Sequence, residues 1–170
     1  CLDVTFLDAW EEHIVAIQKN GMKLSGEGGE RVLTVKAVFN DQEGKNVSSL
    51  GKFDIIICQT KALHTKVAVE SVKHCFDDNT VCVSFQNGLG NEDIIAEVLQ
   101  DIGGASRVFG GQTLQGANVE GPGHVKIHTD LESFMGEWNG GVSERCAALC
   151  YAFTRAGLPT YEDPNMKNKK

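Results

Sequence analysis

A short apolar segment that stops at a glycine-rich turn constrains the fold of this chain most. Residues 81–85 (VCVSF) have the composition of a buried strand, and the amide pair Gln86 and Asn87 follows directly. Gly88 and Gly90 then precede a segment whose apolar residues recur at helical spacing. Ligands of α/β proteins bind where a parallel strand ends and the next helix begins. This stretch therefore predicts a ligand-binding turn within an α/β fold.

Apolar periodicity elsewhere supports such a fold. Residues 53–58 (FDIIIC) are nearly all apolar, which is typical of a parallel strand covered on both faces. Helical spacing predicts helices at about residues 10–20, 64–74, 91–102 and 143–156. Further strands are predicted at about residues 4–7, 22–24, 32–38, 107–113, 125–129 and 133–136. Alternating strands and helices favour a Rossmann-like, doubly wound parallel sheet. The last strands, with no helix between them, predict an antiparallel or mixed C-terminal edge.

Local signals refine this outline at one turn and at one helix start. The segment GEGGE separates the predicted strands at 22–24 and 32–38, which therefore read as a hairpin. Its glycines could be taken for a phosphate loop, but no helix is predicted to follow them and the two glutamates would repel phosphate. At the start of the helix predicted at 91–102, Asn91 is expected to be the N-cap.

Composition and charge exclude several function classes. The formal charge of −7 disfavours binding to a nucleic-acid backbone, and no apolar run approaches the roughly 20 residues of a membrane span. The first residues lack the basic start and the cleavage site of a signal peptide, so a cytoplasmic protein is expected. The six cysteines form no CxxC pair, which favours reduced, buried thiols over a metal site.

Polar residues follow three of the predicted strands. Asp8, Lys61 and Asn87 lie at or just beyond strand ends, and the carboxyl ends of parallel strands share one edge of a sheet. In a dinucleotide site, Asp8 would accept hydrogen bonds from the adenosine ribose and Lys61 would offer positive charge to a phosphate or ribose. Asn87 would bind a carboxamide or a substrate hydroxyl. Taken singly, they read as a helix-start acid, a solvated lysine and a turn residue, so only their joint placement favours a site.

One element of a dinucleotide fold has no counterpart in this sequence. Such a fold needs a first strand followed by G-x-G-x-x-G, which receives the pyrophosphate, and the sequence contains no such motif. It begins instead at what would be the second strand. Two explanations stay open on this ground: the first strand lies outside this sequence, or the chain binds a different ligand.

Three segments together resemble the 2-dehydropantoate 2-reductase (ketopantoate reductase) family. They read, in chain order, FDIIICQTKALHTKVAVESV, VSFQNGLGNEDIIAEVL and GGQTLQGANVEGPGHVKIHTD. The later FMGEW and AGLP are similar to the family's iGE strand and to the turn after the last helix of its domain. The resemblance implies an incomplete dinucleotide-binding domain over residues 1–160. It also implies that residues 161–170 begin the connection to a helical domain outside this sequence.

The resemblance also implies an activity and a set of site residues. The activity is the NAD(P)H-dependent reduction of 2-dehydropantoate, a small 2-oxo acid, to pantoate, a step of pantothenate and coenzyme A biosynthesis. Matching positions assign Lys61 to the cofactor ribose or phosphate, Asn87 to cofactor and substrate, and Ala117 to the cofactor. The family's proton-donating lysine stands in a W-x-K context that falls beyond the last residue in this register. Lys169 and Lys170 follow no Trp and are assigned no catalysis. A homodimer would form through the helical domain.

The cofactor implied by the resemblance is NADP, but Asp8 introduces NAD as well. Family members that use NADP often place an arginine after the second strand, where this chain has Asp8-Ala9-Trp10. An aspartate repels a 2′-phosphate and favours a free 2′-hydroxyl. An NAD-dependent D-2-hydroxyacid dehydrogenase of the same family is therefore an alternative. In another class, a non-catalytic nucleotide-binding module is also compatible, since a fold alone implies no activity.

Overall fold

A computed structural model describes residues 3–41, 44–129 and 131–170. The strands are β1 (Thr5–Asp8), β2 (Met22–Gly26), β3 (Arg31–Leu33), β4 (Lys36–Phe39), β5 (Ile55–Cys58), β6 (Val81–Ser84), β7 (Val108–Thr113), β8 (Gly116–Gly121), β9 (His124–Thr129), β10 (Ser133–Glu137) and β11 (Thr160–Glu162). The helices are α1 (Glu11–Asn20), α2 (Thr65–Val72), α3 (Asn91–Val98), α4 (Glu144–Arg155) and α5 (Met166–Lys169). The chain divides into a first unit, residues 1–49 and 115–130, and a second unit, residues 50–114 and 131–170.

The first unit contains two sheets. In one, β1 and β4 pair in parallel, and Ile14 and Ile17 of α1 form a buried cluster with Ala37 of β4. These two isoleucines lie three residues apart, which is the helical spacing that predicted α1. In the other sheet the strand order is β3-β2-β9-β8, with β2 and β9 parallel and the outer pairs antiparallel.

The predicted strand at 32–38 is wrong as a single element. Residues up to Leu33 pair with β2, which confirms the hairpin, whereas residues from Lys36 onward pair with β1 in the other sheet. The apolar alternation continues across the break, so periodicity cannot show that the strand changes its partner. The GEGGE turn leads into β3 and not into a helix, in agreement with the rejection of a phosphate loop.

The second unit has the sheet that the sequence predicted. Its strand order is β11-β10-β7-β6-β5, in which β5, β6 and β7 are mutually parallel. Strand β10 runs antiparallel to β7, and β11 runs parallel to β10, which confirms a mixed C-terminal edge. Strands β8 and β11 were not predicted, because β8 is rich in glycine and polar residues and β11 has only three residues.

Both faces of this second sheet are covered, as a doubly wound arrangement requires. On one face Cys82 and Val108 pack with Ile95 and Leu99 from the region of α3. On the other face Val83 clusters with Phe109 of β7, Met135 of β10 and the α4 residues Cys146, Cys150 and Phe153. Ile57 of β5 is nevertheless 50% exposed, so the prediction that residues 53–58 are covered on both faces is wrong for this residue.

Burial explains the state of the cysteines. Cys58, Cys75, Cys82, Cys146 and Cys150 are buried free thiols, which confirms that expectation for five of the six, and Cys1 lies outside the described residues. Burial raises the pKa of each of these thiols, because the thiolate is poorly solvated in the interior. Over residues 3–41, 44–129 and 131–170, no helix has the length and apolar character needed to cross a membrane.

A charged cluster joins the start of α4 to the sheet, and its contribution to the stability of the fold should depend on pH. Arg145 donates to both carboxylate oxygens of Glu137, at 2.6 Å and 2.5 Å, and Ser143 donates to Oε1. Burial alone would raise the pKa of Glu137, but the hydrogen bonds from Arg145 and Ser143 outweigh it and lower the pKa below the ordinary 4.5. The cluster therefore stabilises the fold above about pH 4.5, and this contribution is lost as the pH falls through the lower folded-state pKa.

We expect Glu137→Gln to reduce the free energy of unfolding more at pH 7 than at pH 3, measured by urea denaturation across that range. Glu70→Gln is the matched control, because Glu70 pairs with Lys66 on the surface and both side chains are more than half exposed. A destabilisation by Glu137→Gln that is equal at both pH values would contradict a lowered pKa for Glu137.

Candidate functional site

The buried Gln86 amide joins the ends of strands β5 and β6. These strands pair in parallel, with Cys58 opposite Ser84, so the residues that follow them emerge side by side. Gln86 Nε2 donates to the carbonyl oxygen of Thr60 and to Oγ1 of Thr65, both at 2.8 Å. Gln59 Nε2 donates in return to the carbonyl oxygen of Phe85 at 3.3 Å. Side-chain amides therefore continue the pairing of the two strands beyond the sheet.

Lys61 and Asn87 are the next residues after these cross-links, and both side chains are exposed. The carbonyl oxygen of Lys61 accepts from the backbone N–H of His64 at 2.8 Å, which starts the short 3₁₀ turn Ala62–His64. The carbonyl oxygen of Asn87 accepts from Nδ2 of Asn91 at 3.1 Å. The structure thus brings these two predicted residues to the same sheet edge, and their ligand contacts stay a prediction.

Asn91 is not the N-cap of α3, so that prediction is wrong. Gly90 occupies the N-cap position with φ of 83°, a left-handed conformation that glycine adopts without strain. Asn91 is the first helical residue, and its side chain is directed to tertiary partners instead of its own helix N–H groups. Its Nδ2 donates to Asn87 O, and its Oδ1 accepts from Oγ1 of Thr65 at 3.0 Å. The Asn91 amide therefore holds the turn that carries Asn87.

A buried ion pair lies behind the same strand end. Lys170 Nζ contacts Glu92 Oε1 and donates to the carbonyl oxygen of Ser84 at 3.1 Å. The side chain of Glu92 is fully buried and that of Lys170 is 8% exposed. Oε2 of Glu92 has no hydrogen-bond partner among the residues that the structure describes. An isolated buried carboxylate is costly, so Lys170 is the group that makes this placement of Glu92 tolerable.

Asp8 ends strand β1, as predicted, but among the described residues β1 pairs only with β4, in a two-stranded sheet of the first unit. The prediction that Asp8 shares one sheet edge with Lys61 and Asn87 is therefore wrong, because apolar strand patterns do not show which strands pair. Its Oδ1 accepts from the backbone N–H of Trp10 at 2.8 Å, and its carbonyl oxygen accepts from Asn40 N at 2.8 Å. The Trp10 ring stacks on His13, with ring centroids 5.2 Å apart, and its Nε1 donates to Glu12 at 2.7 Å. Within the described part of the chain, no hydrogen bond engages Oδ2 of Asp8, so this oxygen can accept from a ligand hydroxyl.

Ala117 lies in the other sheet of the first unit. It belongs to β8, opposite Ile127 of β9, next to an irregularity in the pairing between Gly116 and Ala117. Its side chain is exposed. Its contact with a cofactor, which the family resemblance implied, stays a prediction. The described residues include no group of three or more His, Cys, Asp or Glu side chains arranged to hold a metal ion.

Three buried residues that support the carboxyl edge of strands β5 and β6 were not predicted from the sequence. Thr65, Asn91 and Glu92 are all buried, and none was recognised as part of the site. Thr65 and Asn91 stand 26 positions apart and meet only because helices α2 and α3 begin at neighbouring strand ends. The available signal was weak: each residue is a polar side chain at the first turn of a helix that follows an apolar strand.

A family model described as "Ketopantoate reductase PanE/ApbA" matches residues 2–140. The chain belongs to this family of ketopantoate reductases. A 2-dehydropantoate 2-reductase of Lactococcus lactis is 28% identical over 156 residues, covering 92% of this chain and 47% of that protein. A protein of the same name from Streptococcus pyogenes serotype M3 is 32% identical over 125 residues, covering 74% and 37%. The chain thus spans about half or less of the length of these relatives.

Solved structures of the ketopantoate reductase type agree with the described fold. A 2-dehydropantoate 2-reductase from Geobacter metallireducens has a TM-score of 0.77 at 27% identity, covering 96% of this chain and 50% of that one. A D-mandelate dehydrogenase in complex with NADH and anilino(oxo)acetate has a TM-score of 0.80 at 24% identity, with the same coverage. These likenesses support a Rossmann-like fold for the described residues.

Proposed function

We propose that the protein containing this chain reduces 2-dehydropantoate to pantoate with a nicotinamide dinucleotide, a step of pantothenate and coenzyme A biosynthesis. The observation that carries the proposal is the placement of the exposed residues Lys61 and Asn87 after two parallel strands, at one sheet edge, in a chain of this family. The chain spans about half the length of its relatives. The other contacts to the substrate would therefore come from parts of the whole protein that this chain does not include.

Each of the predicted residues, taken by itself, offers a group of the kind that binds part of a dinucleotide. Asp8 offers an acceptor oxygen of the kind that binds ribose hydroxyls, Lys61 a cation, and Asn87 an amide with both a donor and an acceptor. The exposed methyl group of Ala117 would admit a cofactor at close approach. When bound, the nicotinamide supplies the hydride that reduces a ketone.

The residues of this chain would act by positioning and by electrostatics. The Asn87 side chain would donate to the oxygen of the 2-oxo acid and keep that carbonyl oriented toward the cofactor. Lys61 would hold the negative charge of the cofactor ribose-phosphate region at the adjoining strand end. Since side-chain amides bond the carbonyl oxygen of Asn87 and that of Thr60, the neighbour of Lys61, little reorganisation would be needed during the reaction. The proton that completes the hydroxyl would come from a lysine outside this chain.

The direct test is the oxidation of NADPH or NADH by the full-length gene product in the presence of 2-dehydropantoate, followed by the absorbance of the reduced nicotinamide. We expect oxidation that depends on 2-dehydropantoate. Dinucleotide binding without turnover of any 2-oxo acid would favour the alternative, a non-catalytic nucleotide-binding module. Absence of dinucleotide binding would contradict the proposal altogether.

Asp8 favours a second candidate, an NAD-dependent D-2-hydroxyacid dehydrogenase. Its carboxylate and those of Glu11 and Glu12 follow β1, so a 2′-phosphate there would meet three negative charges. A 2′-hydroxyl would instead donate to Oδ2 of Asp8. We expect kcat/KM to be higher with NADH than with NADPH, and Asp8→Ser to reduce this preference by about tenfold, since a hydrogen bond to a charged group contributes about 1.5–3 kcal/mol.

The comparison of kcat/KM with NADH and with NADPH has a matched control variant, and one outcome would contradict the argument. Asp78→Ser removes an exposed carboxylate in the turn before β6, at the amino edge of the second unit's sheet, and should leave the cofactor preference unchanged. A strong preference of the unchanged protein for NADPH would contradict the argument from Asp8. Turnover of phenylglyoxylate with NADH, and none of 2-dehydropantoate, would favour the dehydrogenase over the reductase.

We also propose a cytoplasmic location, because the buried cysteines of this chain are unpaired and disulfides are rare in reducing compartments.

We further propose that the full-length gene product forms a homodimer, through contacts that lie outside the described residues. Size-exclusion chromatography of the full-length gene product with light scattering would measure its oligomeric state, and a monomer would contradict the dimer.

A further inference from the structure

We propose that Thr65 is a positioning residue that fixes the two exposed groups of the candidate site, Lys61 and Asn87, through one shared hydroxyl. The proposal rests on the proposed function, because it assigns the positioning of the same site. Thr65 is fully buried, at the first residue of α2, so it reaches a ligand only through other residues.

The hydroxyl of Thr65 connects the turn after β6 with the loop after β5. Oγ1 accepts from Nε2 of Gln86 at 2.8 Å. The same oxygen lies 3.0 Å from Oδ1 of Asn91 and 2.9 Å from the carbonyl oxygen of Ala62, which are acceptors for its single proton. Ala62 is the neighbour of Lys61. One hydroxyl therefore contacts groups belonging to both ligand-facing segments.

From Thr65 the connection to Asn87 runs through Asn91. The Thr65 hydroxyl contacts Oδ1 of Asn91, and Nδ2 of the same amide donates to the backbone carbonyl oxygen of Asn87 at 3.1 Å. Turning the Asn91 amide over would place an oxygen against the Asn87 carbonyl and a nitrogen against the hydroxyl. The Asn87 carbonyl oxygen can only accept, so it requires Nδ2 of Asn91, and in this orientation the Thr65 hydroxyl is the donor to the Asn91 Oδ1.

From Thr65 the connection to Lys61 runs through Gln86 and Ala62. Gln86 Nε2 also donates to the carbonyl oxygen of Thr60, which directly precedes Lys61. Ser84 Oγ contacts Gln86 Oε1 at 3.3 Å and completes the surroundings of the Gln86 amide. Loss of the Thr65 hydroxyl would leave the Asn91 Oδ1 without its donor. Gln86 Nε2 would lose one acceptor and keep the carbonyl oxygen and the hydroxyl of Thr60, at 2.8 Å and 3.3 Å.

Thr65→Val removes the hydroxyl and keeps the shape of the side chain, while Thr65→Ser keeps the hydroxyl. We expect Thr65→Val to lower kcat/KM of the full-length gene product about tenfold, a change typical of misplaced binding groups. Thr65→Ser should restore most of the activity. The matched control is Thr80→Val, since Thr80 is an equally buried threonine whose hydroxyl donates to Phe53 O at the amino edge of the same sheet. It should lose comparable stability and keep kcat/KM.

Hydrogen exchange measured by NMR on the 170-residue chain separates this proposal from the proposed function. We expect Thr65→Val, but not Thr80→Val, to speed the exchange of the backbone amides at 87–90 and 61–64 selectively. If the unchanged protein reduces no 2-oxo acid, the proposed function fails while this exchange pattern still decides the role of Thr65. Equal effects of Thr65→Val and Thr80→Val on exchange at these segments, or unchanged kcat/KM in an active enzyme, would overturn the proposal.

Discussion

Lys170→Met is expected to reduce the free energy of unfolding by about 3–5 kcal/mol, because it leaves the fully buried Glu92 carboxylate without a counter-charge. The second oxygen of Glu92 already has no partner among the described residues, so no other group is placed to compensate. The substitution also removes the donor to the carbonyl oxygen of Ser84 at the end of β6. Urea denaturation of the 170-residue chain at neutral pH, analysed by linear extrapolation, measures this effect.

Two further variants sharpen the interpretation of that result. The double substitution Glu92→Met with Lys170→Met should recover much of the lost stability, because replacing both partners of a buried pair with apolar side chains is often neutral. Lys66→Met is the surface control, since the Lys66–Glu70 pair is more than half exposed and should cost less than about 1 kcal/mol. A cost below about 1 kcal/mol for Lys170→Met would show that Glu92 does not depend on this pair.

Asn87→Ala is expected to lower kcat/KM of the full-length gene product about tenfold to a hundredfold. The reason is that the variant would lose a hydrogen bond from the amide to the cofactor or the reacting carbonyl, and each factor of ten corresponds to about 1.4 kcal/mol of transition-state stabilisation. The Asn87 side chain is exposed, so thermal stability should change little. Steady-state kinetics with 2-dehydropantoate, together with a melting curve, measures both quantities.

Asn79→Ala is the matched control for Asn87→Ala. Asn79 is an exposed asparagine in the turn before β6, at the opposite edge of the same sheet, and its backbone N–H bonds to Asp77. Its substitution should leave kcat/KM unchanged. If Asn87→Ala has no larger effect on kcat/KM than Asn79→Ala, Asn87 does not belong to the reactive part of the site.

The sequence predicted the second unit well because its strands carry dense local information. The segments 53–58 and 81–85 are apolar, end in polar residues and lead into helices with clear 3.6-residue spacing, so element type and direction follow from local patterns. The positions of Lys61 and Asn87 after two parallel strands then follow from the rule that carboxyl ends of such strands share an edge.

The first unit was predicted less well because partner choice leaves little local trace. The alternation from Val32 to Val38 looks like one strand, yet β3 pairs with β2 and β4 pairs with β1 in a separate sheet. Strand β8 contains Gly116, Asn118 and Gly121 and forms through its pairing with β9. In both cases the hydrogen-bond partner, which is distant in sequence, decides the structure.

By itself, the sequence determined the α/β class, the family, and the placement of Lys61 and Asn87 after two parallel strands. Those features depend on short-range patterns of apolar, amide and glycine residues, and such patterns are visible in the sequence alone. Only the tertiary structure decided what holds the site in place: the Thr65 hydroxyl, the orientation of the Asn91 amide and the Glu92–Lys170 pair. A buried polar group is tolerated only where a partner satisfies it, and Thr65 and Lys170 lie 26 and 78 residues from their partners Asn91 and Glu92.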